Sequence, residues 1–163
     1  MNIRSTLHPL LLALYPILFY YNYNKDQLPL STIVIPLLTS LSISVLLLLI
    51  TRAVFRNTTT AGLIVSLVLL LFFSYGHVYN AVTGLPFEIR FGRVLLPVWA
   101  LIFTGGTVGV VRISLDGQRK LASIATFVAS LLLLFSVSTI LPYEIAVMKR
   151  TTALKTASTA SPG

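Results

Sequence analysis

The chain has 163 residues, of which 56% are hydrophobic and only 10% charged, with a formal net charge of +8 and no cysteine. A soluble domain carries about 25% charged residues, so this composition excludes an ordinary soluble globule. Without cysteine there are no disulfides, thiolate metal sites, iron–sulfur clusters or covalently attached haems.

The charges divide the sequence into five uncharged runs, residues 5–24, 27–51, 57–87, 94–111 and 121–143. A helix needs roughly 20 apolar residues to cross about 30 Å of hydrocarbon. The runs are apolar all round, where helices of a soluble globule would be striped. The expected fold class is all-α: a polytopic integral membrane helix bundle of about five transmembrane helices, forming one domain over residues 1–150. The spans are expected near 8–23, 31–51, 60–80, 94–113 and 121–142.

The first run opens with Met-Asn-Ile-Arg, as a secretory signal would. Tyr15, Pro16 and the cluster Tyr20, Tyr21 and Tyr23 stand where a small-residue cleavage site would be, so a retained span is the reading. A kink is expected at Pro16, with Pro36 and Pro97 in the first turns of their helices. Ser31 and Thr32 before the second span, and Asn57 to Thr60 before the third, offer oxygens to the free amides of helix starts. Asn57-Thr58-Thr59 also fits the glycosylation sequon, but it falls on the side expected to be cytoplasmic. Gly117 is expected in the turn "SLDGQRK" before the fifth span. The tail "TTALKTASTASPG", residues 151–163, is expected to be flexible, either free or a linker.

Five spans place the termini on opposite sides. Arg4, Arg52, Arg56, Arg112, Arg119 and Lys120 then face Lys25, Arg90, Arg93, Lys149, Arg150 and Lys155 across the membrane, which is no bias. The first hairpins tip the orientation towards a cytoplasmic N-terminus and an extracytoplasmic C-terminus in a cell inner (plasma) membrane. The positive charge suits lipid headgroups and topology control, and no nucleic-acid partner is expected.

"FFSYGHVYN", residues 72–80, ends the third run with rings, a glycine and a histidine. Tyr75 and Tyr79, with Tyr20, Tyr21 and Tyr23 on the same side, read as an interfacial aromatic belt. His77 shares a helix face with Phe73 and Asn80. It either pairs with a hydroxyl such as Tyr20 or Tyr21, or ligates a metal, haem or chlorin; the cofactor itself stays unknown. The other histidine, His8, falls at the opposite end of the bundle. Asp26, Glu88, Asp116 and Glu144 lie outside or at the ends of the spans and do not pair, so no catalytic or metal site is expected. Gly105 and Gly109 have the small-xxx-small spacing of close helix contacts, first within the bundle and second towards a partner.

Three blocks, "LHPLLLALYPILFYYNYN", "FFSYGHVYN" and "GRVLLPVW", occur in order. Together they resemble the N-terminal membrane domain of bacterial membrane-anchored, sulfatase-like hydrolases of the alkaline phosphatase superfamily. The likeness reaches about residue 140. It implies a helix bundle, a linker and an extracytoplasmic hydrolase domain that carries the metal ligands and nucleophile, and that domain's residues are absent from this sequence. The leading expectation is a non-enzymatic accessory or scaffolding subunit of a membrane protein complex, in contact with lipids and other subunits. That order takes the 163 residues as a whole protein. The alternative is a membrane anchor separated from its catalytic domain. A small transporter or channel comes last, since repeats and mid-span ionisable groups are missing.

Overall fold

A computed structural model describes residues 7–83 and 91–159. These form five α-helices and, among the described residues, no strand: α1 (Leu7–Asn24), α2 (Val34–Phe55), α3 (Thr58–Thr83), α4 (Phe91–Arg112) and α5 (Leu115–Thr159). Arg4, Pro86, Glu88 and Arg90 lie outside the described residues. Four helices, α2 to α5, are long and apolar enough to cross a membrane, and the chain is a multi-pass membrane protein.

The expected first span is the exception. α1 has 18 residues, about 27 Å at 1.5 Å per residue, and carries His8, Asn22 and Asn24. It sits in the middle of the bundle, packed on α2, α3 and α5. Protein, rather than lipid, surrounds His8 and Tyr21.

Two apolar clusters mark the core. Ala13, Val65 and Leu69 meet where α1 crosses α2 and α3, flanked by Leu12, Leu47, Leu48 and Phe73. Tyr21, Ile33 and Ile140 form the second, joining α1 to α5 and to the chain before α2. Hydroxyls of α2 tie it to α1: Ser40 Oγ donates to the Ala13 carbonyl at 2.8 Å and Ser44 Oγ to the Pro9 carbonyl at 3.4 Å. In a bilayer, where tails are as apolar as leucine, such bonds and close packing replace the hydrophobic drive.

Helix ends follow local chemistry. Asn57 Oδ1 accepts the amides of Thr59 and Thr60 at 2.9 and 3.3 Å and caps α3 as expected. Ser31 and Thr32 do not cap α2; they form a 3-10 turn (Leu30–Ile33) that leads into it without a side-chain cap. α2 stops at Arg56, whose φ of 53° is left-handed and whose amide bonds the Arg52 carbonyl at 2.8 Å. Gly117 lies in the first turn of α5 rather than in the connection, where a Cβ would come 2.5 Å from Ile113 Cγ2. Pro36 is in the first turn of α2, but Pro97 is in the second turn of α4, because α4 begins at Phe91.

The largest departure is α5. Its 45 residues run through Pro142 to Thr159, so residues 151–159 are helical where a flexible tail was expected. Proline removes one amide but is tolerated in a membrane helix. Ala146, Met148, Lys149, Arg150, Ala153, Leu154 and Lys155 beyond it favour helix intrinsically. Tyr143 and Glu144, directly after the proline, are held against α1. The last residues of the expected tail, 160–163, lie outside the described residues.

Candidate functional site

The end of the bundle that gathers the C-termini of α1 and α3 contains a groove of about 1040 Å³. α1 supplies Leu12, Tyr20 and Tyr23, the 3-10 turn supplies Thr32, and α3 supplies Phe73 and His77. The walls are chiefly hydrocarbon, with Tyr15 and Ser74 farther in and Tyr20, Tyr23, Asn24 and His77 at one end. Tyr20 and Tyr23 are largely exposed there, and His77 is exposed beside them. Asn24 Nδ2 donates back to the Tyr20 carbonyl at 2.8 Å, which fixes the last turn of α1 at the rim.

The residues expected to form one aromatic belt therefore part company. Tyr20, Tyr23 and His77 share the groove. Tyr75 and Tyr79 stack on each other at 6.2 Å, and Tyr75 meets Trp99 edge-on at 5.9 Å, which joins α3 to α4. Trp99 Nε1 donates to the Leu71 carbonyl at 2.8 Å in the same junction. Tyr21 is not an interfacial ring: it is fully buried and its hydroxyl donates to the Glu144 carboxylate. Beside it, the Tyr143 hydroxyl donates to the Lys25 carbonyl at 3.0 Å, and Lys25 Nζ sits 5.2 Å from the Tyr143 ring centre. These contacts clasp α5 to the end of α1. Tyr21 and Glu144 are 123 residues apart, and the sign of their pairing was that each stands at the same end of an apolar run.

The opposite end holds buried polar groups. Gln118 Oε1 accepts from Thr60 Oγ1 at 2.7 Å, while its Nε2 donates to the Val110 and Ile113 carbonyls at 2.9 and 3.2 Å. One amide thus links the start of α3, the end of α4 and the start of α5. His8 is fully buried at this end, and neither ring nitrogen has a hydrogen-bonding partner. His8, not His77, is the enclosed histidine. Among the described residues, no three of His, Cys, Asp and Glu converge as metal ligands would.

The glycine reading is also corrected. Among the described residues, a Cβ on Gly105 or Gly109 would meet no atom beyond its own stretch of helix within 4 Å, so neither packs on another helix there. Gly106 does, since its Cβ would lie 2.6 Å from Leu67 Cδ2 on α3. The spacing of two glycines marks a face, but the rotation of α4 decides which face meets α3, and Trp99 sets that rotation.

No protein family, curated protein or solved structure matches this chain.

Proposed function

We propose that this chain is a non-catalytic accessory subunit that scaffolds a membrane protein complex. The observation that carries the reading is the bare face of α4. Only 6% of its apolar stretch is buried within the chain, against 33% for α3, and Gly105 and Gly109 lie open on it. Lipid tails gain nothing from a glycine surface, whereas a second helix gains close backbone approach. The host is a cell inner (plasma) membrane, with the N-terminus cytoplasmic and the C-terminus extracytoplasmic.

Purification of the tagged chain from its native membrane in mild detergent tests this. The expected result is stoichiometric co-purification of other membrane subunits, lost in a Gly105→Leu/Gly109→Leu double variant that still elutes as a folded protein. A solitary, monodisperse wild-type chain overturns it. Because the chain has no cysteine, orientation is read by single-cysteine labelling. Leu154→Cys should react from outside the cell and Arg119→Cys only after permeabilisation.

A second reading is the anchor of a sulfatase-like hydrolase, as the sequence resemblance implies. It is favoured by the arm of α5 that continues beyond its apolar stretch. An antibody to this segment separates the two readings. A native band near 17.8 kDa supports the subunit, and a much larger one supports the anchor.

A further inference from the structure

We infer that the groove between α1, α2 and α3 is a binding site for one phospholipid, with an acyl chain along its floor and the ester and phosphate oxygens at its rim. Three observations fix the occupant. The helices α2 and α3 that wall it are membrane-spanning by length and composition, so its open side meets hydrocarbon rather than water.

Its length fits one leaflet. The lining runs along α1 from Leu12 to Asn24, twelve residues or about 18 Å of helix, beside roughly 15 Å for half of a bilayer's hydrocarbon. Its volume of about 1040 Å³ stands at the top of the roughly 300–1,000 Å³ usual for small-molecule sites, ample for a chain lying lengthwise.

Its polarity is graded as an amphiphile is. Leu12, Leu69 and Phe73 line the deep end with Tyr15 beside them, and Tyr20, Tyr23, Asn24 and His77 gather at the outer end. Hydroxyl and imidazole N–H groups are donors suited to the acceptor-rich ester and phosphate region. Aromatic side chains with polar tips stand where headgroups begin. This inference concerns lipid alone and does not depend on any protein partner.

The test uses the full chain in detergent, delipidated and then titrated with dioleoyl phosphatidylethanolamine, with bound lipid counted by native mass spectrometry. The expected result is a single adduct that saturates at one per chain. Leu70→Trp, which places a large ring in the groove, should cut occupancy at least tenfold. Leu101→Trp, an equally large ring on the outward face of α4, should leave it unchanged. His77→Ala combined with Tyr23→Ala should weaken binding severalfold while keeping a single site. A graded ladder of adducts without saturation, or equal occupancy in Leu70→Trp and Leu101→Trp, overturns the inference. If Leu70→Trp loses its helical circular dichroism, the wild-type titration decides alone, one saturating adduct supporting the site and a ladder refuting it.

Discussion

α1 and α4 are opposites. α1 is the shortest helix and carries histidine, asparagine and tyrosine, yet it lies at the centre of the bundle. α4 is long and apolar enough to span, yet it packs chiefly on α3 and leaves most of its surface bare. In water the more apolar helix would be the more buried. In a bilayer the lipid satisfies leucine as well as protein does, and polar atoms are what demand neighbours. At Tyr21, Ser44 and Gln118, burial goes with hydrogen bonds made to other helices.

The comparison breaks most readily at Tyr21. Tyr21→Ala should empty a fully buried position and strip Glu144 of its donor, for a loss of about 3–5 kcal/mol; the midpoint of thermal unfolding in detergent measures it. Next comes Gln118→Leu, which leaves Thr60 and two helix-end carbonyls unmatched and should lower stability by about 1–3 kcal/mol. Gly106→Val should cost less, about 0.5–1.5 kcal/mol, because the end of the Leu67 side chain has to swing out of its rotamer. By contrast Gly105→Val, in open space, should stay within about 0.5 kcal/mol; equal losses at both glycines would erase the distinction between the two faces of α4. The smallest effect is a gain. Arg56→Gly relieves the left-handed residue that ends α2 and should add up to about 1 kcal/mol, seen as a raised midpoint.

The apolar runs made the helical class and the positions of α2, α3 and α4 legible to within a few residues. Asn57 announced its own helix. What stayed hidden depends on which way helices face. Composition does not say that Tyr21 turns inward while Tyr20 and Tyr23, its near neighbours, turn out. Nor does spacing say that Gly106, rather than Gly105 and Gly109, meets α3, because that choice depends on Trp99 finding the Leu71 carbonyl on another helix. The length of α5 was hidden for a different reason. The Thr- and Ala-rich stretch from Thr151 onward reads as a tail by composition, and only the grip of Tyr143 and Glu144 on α1 shows how the helix carries on past Pro142.

That continuation has a mechanical side. From Ile145 to Thr159, α5 extends 15 residues past the clasp, about 22 Å of helix, as a rod bearing Lys149, Arg150 and Lys155. A rod keeps direction as a leash does not. If α5 tilts in the bilayer by about 10°, well inside the roughly 0–40° range of membrane helices, the tip of the arm swings by about 4 Å relative to the clasp. The arm is held to α1 where Tyr21 and Lys25 meet Glu144 and Tyr143.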